Sequence, residues 1–260
     1  MRNVNTVLPG SSVPLYIQLK ELLQEAMHDG AFPPGSRVPS ERELAQRYNV
    51  SRMTARQALQ LLAHEGLTYS RVGKGTYVSE PKIPQELQAL TSFTEEMARL
   101  GLAASSKVLK AEILPASGDV SRRLNLAFGA AVVTLIRVRY AGEEPMALEH
   151  TYIDHALCPG ILEKHDFSTA SLYDVMRNDY GLSVVLAEQL IETRLPQSTE
   201  WDVLGIDHLT PVLSLERTTY DADNRAVEFV RSVYRGDKYR FRSVLRAQEW
   251  VAAPLKQMET

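Results

Sequence analysis

Pro39-Ser40-Glu41-Arg42-Glu43-Leu44-Ala45, followed by Val50-Ser51-Arg52-Met53-Thr54-Ala55-Arg56-Gln57-Ala58-Leu59, decides the fold of the amino-terminal part of this chain. It contains two consecutive helix starts. Ser40 and Glu43 form a Ser-x-x-Glu capping box, in which the serine oxygen and the glutamate each satisfy an orphan backbone donor. Ser51 opens a second helix whose neighbours are Arg52, Thr54 and Arg56. Tyr48-Asn49-Val50 leaves room between them only for a tight turn, so the pair reads as a helix-turn-helix. Met53, Ala58, Leu59 and Leu62 give the second helix its apolar side, while hydroxyls and guanidinium groups crowd its first turn. That is where a recognition helix meets base edges and phosphates. The competing reading is a helical hairpin with solvated arginines.

The flanks narrow this. Upstream, a helix begins near Pro14 and carries an apolar stripe at Leu15, Leu19, Leu22, Leu23 and Met27. Downstream, Gly66 ends the second helix. Leu67-Thr68-Tyr69-Ser70 and Thr76-Tyr77-Val78 then read as short strands around the turn Arg71-Val72-Gly73-Lys74-Gly75, a wing with charge at its tip. Leu67, Arg71, Gly73, Gly75-Thr76 and Val78, with the Pro39 to Leu59 pattern, resemble the winged helix of the GntR family of bacterial transcription factors. The match runs from about Pro14 to Val78 and departs at Met53, Ala55 and Lys74. The resemblance implies a double-stranded operator DNA partner, contacted by Arg42, Ser51, Arg52, Thr54, Arg56 and Gly73. Ser51 also reads as an N-cap, and Thr54 as a partner for helix-start donors.

A length of 260 residues suggests one or two domains, and 44% hydrophobic residues suffice for a sizeable core. One cysteine, Cys158, excludes an intramolecular disulfide and a cysteine-rich metal site. No apolar run reaches the eighteen or so residues of a membrane span, and Met1 to Ser12 has no signal-like apolar region, so a cytoplasmic protein is expected. The net charge of −3 conceals an uneven split. Met1 to Ser79 holds nine Lys/Arg against six Asp/Glu, while the rest holds twenty against twenty-six. Phosphate attraction depends on the local field, which is basic where the helix-turn-helix lies. Because that charge is modest, a homodimer reading a two-fold symmetric site is expected.

Glu80-Pro81-Lys82-Ile83-Pro84 marks a boundary, since two close prolines favour extended chain. The expected organisation is a flexible tail over 1–12, a DNA-binding domain over 13–79, a linker over 80–90, an effector-binding and dimerisation domain over 91–252, and a tail over 253–260. In the second domain Lys107–Leu114, Val132–Tyr140, Met146–Ile153, Val184–Leu195, Val212–Tyr220 and Ala226–Tyr234 read as strands. Helices are expected over Ser92–Leu100, Val120–Leu124, Ser171–Asp179 and Ser198–Leu204. Consecutive hairpins turning at Ala141 to Glu144 and Asp221 to Asn224 argue for an antiparallel sheet with packed helices, an α+β fold, and the two long hairpins read as possible duplicated halves. Leu90 to Met97 with Gly101, Arg137-Val138-Arg139, Pro145-Met146-Ala147, Ser171-Leu172-Tyr173 and Tyr234 to Asp237 with Tyr239 and Phe241 resemble the UTRA effector domain of the HutC-type GntR subfamily. Its fold is shared with chorismate lyase.

Spacing also speaks about the ligand. Ser92 and Glu95 make another capping box, which aims the amides of Phe93 and Thr94 out of a helix start that attracts anions. Arg137 and Arg139 lie two apart on one strand face and repel unless they share an anion or acidic partners. A structural network with Glu149 or Glu228 is the alternative. By the same parity Glu228 and Tyr234 share a face, and Glu149 can join them from the neighbouring hairpin; such groups suit sugar hydroxyls or amines. The resemblance to members that sense amino-sugar phosphates implies effector contacts from Ser92, Phe93, Thr94, Arg137, Arg139, Glu149, Ser171, Tyr173, Glu228 and Tyr234. It favours glucosamine 6-phosphate or N-acetylglucosamine 6-phosphate as the small anionic effector. Ser171 alternatively caps a helix, Tyr173 packs in a core, and Asp237 holds a strand-end turn. Another phosphosugar, a phosphonate-pathway compound or a carboxylate such as urocanate is the rival effector. An enzyme of the lyase fold is less favoured, since no His lies in a catalytic motif, and the aminotransferase-fused branch needs a longer chain. No catalytic residue, metal ligand or cofactor is expected.

Overall fold

Leu19, Leu22 and Leu23 recur at helical spacing and form the buried stripe of α1 (Leu15–His28) in a computed structural model of the chain, which describes residues 7–71, 74–87 and 89–245. The chain divides into two compact units, 1–82 and 83–260. In the first, α2 (Glu41–Tyr48) starts on the Ser40 capping box. The Ser40 N–H donates to Glu43 Oε2 at 2.7 Å, and the Glu43 N–H donates to Ser40 Oγ at 3.3 Å. Asn49 ends that helix in the left-handed region (φ 50°), which asparagine tolerates better than most residues. α3 (Arg52–His64) follows at once, and its Thr54 N–H donates to Ser51 Oγ at 3.0 Å.

Leu19, Leu23, Leu44, Ala55, Ala58 and Leu62 are completely buried where the three helices meet. Each leucine so buried contributes about 1.5–3 kcal/mol of transfer free energy. Met53, expected on this apolar side, is instead 61% exposed. The buried stripe runs through residues 55, 58, 59 and 62, and position 53 falls outside that arc. β1 (Thr68–Arg71) and β2 (Gly75–Val78) pair antiparallel as the wing. The wing is tied to the body by Val38 N–H to Thr76 O (2.8 Å) and Val78 N–H to Ser36 O (2.9 Å). The chain is also held earlier than the expected tail allows. Val7 is buried, and Gln18 Nε2 donates to Val13 O at 2.7 Å while its Oε1 accepts from Leu8 N–H at 2.9 Å.

The second unit opens with a strand where a linker was expected. β3 (Ile83–Glu86) pairs in parallel with β10 (Tyr239–Arg242), with Ile83 opposite Tyr239. Pro84 removes one donor, which a short two-stranded edge accommodates. The main sheet is built from β4 (Ala104–Pro115), β5 (Ala131–Ala141), β6 (Glu144–Asp154), β7 (Val184–Arg194), β8 (Val212–Asp221) and β9 (Ala226–Arg235). Its order is β4-β5-β6-β9-β8-β7, antiparallel throughout.

With α5 (Gly118–Leu124) between β4 and β5, and α8 (Ser198–Leu204) between β7 and β8, each half of the sheet repeats the sequence strand, helix, strand, strand. The halves meet at the β6–β9 seam, as a duplicated hairpin unit would. Alternation divides each strand between two cores. Val132, Val138, Phe229 and Val233 pack with α5 and α8. Val133, Leu135 and Ile153 pack with α6 (Ile161–Lys164) and α7 (Leu172–Tyr180), while Ala147 and Tyr234 pack with α4 (Phe93–Arg99).

Candidate functional site

On the first unit, Arg42, Arg52 and Arg56 project from α2 and α3 as exposed side chains. Exposed cations at the start of α3 answer to no packing need. Ser51 and Thr54 are spent locally, with their hydroxyl oxygens 2.8 Å apart at the helix start. Gly73 lies outside the described residues. A cleft of about 310 Å³ runs between α3 and the wing, lined by Arg37, Arg56, Gln60, Ser70 and Thr76. Gly75 (φ 109°) lets the wing turn there, and a Cβ on it would meet Arg37 Nε at 3.0 Å.

On the second unit a small pocket with about 20 Å³ of free space, partly open to solvent, lies over the sheet face that carries Arg137 and Arg139. It brings together Ser92, Phe93, Thr94, Arg137, Arg139, Glu149, Ser171, Tyr173 and Glu228. The register explains this. Arg137 on β5 stands directly opposite Glu149 on β6, and Glu228 on β9 stands opposite Thr219 on β8. Tyr234 shares the face but does not line the pocket; it is buried in the neighbouring core, edge-on to Tyr239 at 4.8 Å. Asp237 takes the guanidinium of Arg235 at 2.7 Å, holding the strand end.

The polar floor is a network of buried side chains. Glu149 Oε2 accepts from Arg137 Nη2 at 3.1 Å and from Arg139 Nη1 at 3.3 Å. Arg139 Nη2 also donates to Thr94 Oγ1 (3.3 Å), and its guanidinium lies 4.6 Å from the Phe93 ring. Tyr173 donates to Glu228 Oε2 at 2.8 Å, and Thr219 Oγ1 donates to the same oxygen at 2.9 Å. Tyr173 is therefore more than core packing. Ser171 and Ser92 cap their helices, Ser171 Oγ accepting from Asp174 N–H and Ser92 Oγ from Glu95 N–H. Because α4 is seven residues long and carries Glu95 and Glu96 in its first turn, its dipole offers an anion little.

The electrostatics of these groups follow from burial and proximity. Burial, then the neighbouring Arg139, lowers the Arg137 guanidinium to about 10. Burial would raise Glu149, yet Arg139 and Arg137 hold it below the ordinary carboxylate value. Burial and Glu228 push the Tyr173 hydroxyl up, so it remains a donor. The shared carboxylate does not satisfy the cations. Arg137 Nε, Arg137 Nη1 and Arg139 Nε are buried with no acceptor among the described residues. Arg217, from β8, also lines the pocket and escaped the sequence reading. Its signal was strand parity, since it lies two residues before Thr219 on the same face. Among the described residues no group of three or more His, Cys, Asp or Glu is placed to hold a metal ion, and no helix is long and apolar enough to cross a membrane.

A winged helix-turn-helix with exposed arginines, joined to a unit with a polar pocket, defines a DNA-binding transcriptional regulator. Residues 15–78 match the model of bacterial regulatory proteins of the gntR family, and residues 99–240 match that of the UTRA domain. The chain is 37% identical to the HTH-type transcriptional repressor NagR of Bacillus subtilis (strain 168), over 92% of this chain and 96% of that one. It is 31% identical to the mannosyl-D-glycerate transport/metabolism system repressor MngR of Escherichia coli (strain K12), over 88% and 94%. The crystal structure of PhnF from Mycobacterium smegmatis superposes with a TM-score of 0.63 at 36% identity, covering 88% of this chain and 100% of that one. The chain belongs to the GntR family of bacterial regulators, in its UTRA-containing, HutC-like branch, and is not an enzyme.

Proposed function

We propose that this protein is a cytoplasmic repressor that binds operator DNA as a homodimer and is released or reoriented by a small anionic effector, an amino-sugar phosphate such as glucosamine 6-phosphate or N-acetylglucosamine 6-phosphate. One observation carries the effector class: Arg137 and Arg139 share a single carboxylate oxygen and keep three buried N–H donors without acceptors among the described residues. A buried donor left unpaired costs about 1–3 kcal/mol, and a phosphate supplies several acceptor oxygens as well as the missing negative charge. Glu149, Glu228 and Tyr173 line the remaining floor and suit the hydroxyls of a sugar.

The similarity to repressors supports the sign of regulation. Arg42, Arg52 and Arg56, with Ser51, Thr54 and Gly73, are the DNA-contacting set in this reading. The dimer has support in the outer strands of the sheet, where Val185, Leu186 and Leu190 on β7 and Leu109 and Ile113 on β4 are exposed apolar residues. Exposed apolar edge strands in a native protein are sites of pairing.

Calorimetry with phosphosugars, paired with anisotropy on an operator selected from random DNA, tests the proposal. Micromolar or tighter binding that lowers operator affinity is expected. Arg137→Ala is expected to weaken the effector 10- to 100-fold, the scale of one charge-assisted hydrogen bond or two. Wild-type protein that ignores every phosphosugar, or binds one with operator affinity unchanged, refutes it.

A further inference from the structure

We infer that Arg217 is a second anchoring point of the effector pocket, which takes an acceptor oxygen at the end of the ligand away from its phosphate. This rests on the effector pocket proposed above and extends it. In the duplicated arrangement of the sheet, Arg217 on β8 occupies the place that Arg137 holds on β5. The difference lies in the partner. Arg137 faces Glu149 across its hairpin, whereas Arg217 faces Val230.

Arg217 consequently has no cross-strand carboxylate. Its Nε is buried without an acceptor among the described residues, and its guanidinium lies 6.0 Å from the Tyr173 ring. The lining as a whole holds three arginines against two glutamates, Glu149 and Glu228, so one formal positive charge is left over. A half-buried guanidinium without a hydrogen-bonded partner has a desolvation cost that a ligand acceptor would offset.

Position decides which part of the ligand it meets. Three interstrand steps separate β5 from β8, roughly 14 Å of sheet. Arg137 and Arg139 hold one flank and Arg217 the other, with Glu149 and Glu228 between them. A phosphate held by Arg137 and Arg139 leaves Arg217, on the opposite flank, to an oxygen at the other end of the ligand, which inorganic phosphate lacks and a polyhydroxylated phosphate ester carries as a hydroxyl, carbonyl or carboxylate. The pocket then selects for length as well as for charge.

Full-length wild type, Arg217→Met, Arg217→Lys and Arg137→Ala are titrated calorimetrically with inorganic phosphate and with a panel of phosphosugars, phosphonates and small carboxylates. Arg217→Met is expected to weaken the best extended ligand at least tenfold while leaving inorganic phosphate within about twofold. Arg217→Lys restores part of the loss, and Arg137→Ala weakens both ligands. If the wild type prefers a phosphonate or carboxylate to every phosphosugar, the amino-sugar assignment falls, and the role of Arg217 is decided on that ligand. Equal loss of phosphate and extended ligand in Arg217→Met overturns the inference, because it makes the residue a general source of positive charge. Unchanged affinity for both overturns it as well, as does a wild type that takes up none of the panel. Circular dichroism and operator affinity of Arg217→Met match the wild type if the fold is intact.

Discussion

Replacing Glu149 by glutamine isolates the electrostatics of the pocket floor, because one carboxylate oxygen accepts from both Arg137 (3.1 Å) and Arg139 (3.3 Å) and all three side chains are buried. Glutamine keeps the shape and one acceptor oxygen but removes the charge. Breaking a buried ion pair costs about 3–5 kcal/mol, since the partner charge is left uncompensated. The retained acceptor places the expected loss at the lower end, about 3 kcal/mol. For a unit of this size each kcal/mol lowers the melting temperature by about 2–4 °C, so the effector unit should melt about 6–12 °C lower at neutral pH. Two further signs belong to the same account. Millimolar sulfate should stabilise the variant more than the wild type, by supplying the missing anion. The folded-state value of Glu149 lies below the ordinary one, so its contribution is full above the ordinary carboxylate range and is lost as pH falls through the folded value. The variant's deficit should therefore shrink at pH 3–4. Differential scanning calorimetry from pH 3 to 8, with and without sulfate, reads all three. An unchanged melting temperature at neutral pH would refute the idea that this carboxylate neutralises two buried cations.

Arg52→Ala should weaken specific operator binding by about 1–3 kcal/mol per half-site, five- to 150-fold, with helix content unchanged by circular dichroism. Glu96, 1% exposed on α4, is pushed up to about 7 by burial despite Arg99 and Arg217 nearby, and it sits beside Tyr234 and Tyr239. A raised carboxyl stabilises the folded state at low pH and loses that advantage as pH rises from its ordinary 4.5 through about 7. Stability should thus fall by up to about 3 kcal/mol over that window in the wild type, while Glu96→Gln flattens the profile. Gly236→Ala drives a Cβ into the Pro211 carbonyl, whose oxygen accepts from the Gly236 N–H at 3.1 Å, and should cost about 1–3 kcal/mol in chemical denaturation. Gly118→Ala, which meets open space at the start of α5, should be neutral or slightly stabilising.

Val132–Tyr140 was legible as a strand because one face alternates apolar residues with the polar floor, and it forms as β5, Ala131–Ala141. The Ser40, Ser51, Ser92 and Ser171 helix starts were legible because capping chemistry is local. The Arg137-x-Arg139 doublet was legible because two like charges on one strand face require an explanation. Arg217 carried no such doublet, so its unpaired state became visible only once Val230 was known to face it. Met53 misled because apolar character was read without its angular position, and Tyr234 because strand parity fixes the face but not the distance to a cavity. Ile83–Glu86 was read as linker because its partner lies more than 150 residues away in the chain, beyond any local pattern.

That last pairing has a consequence for synthesis. β3 immediately follows the DNA-binding unit, but the chain that pairs with it, Tyr239–Arg242, is among the last described residues to be made. The buried core of the winged helix and the backbone bonds that tie its wing to the body draw only on residues up to Ser79. A ribosome therefore releases a folded winged helix long before the strand leading out of it can close onto the sensor. At roughly 5–20 residues per second, some 160 residues represent a delay of about 8–32 seconds. During that interval the nascent chain carries a complete DNA-reading head with an unfinished controller. A premature stop before Tyr239 would make that state permanent, leaving a DNA-binding head whose leading strand has lost its partner.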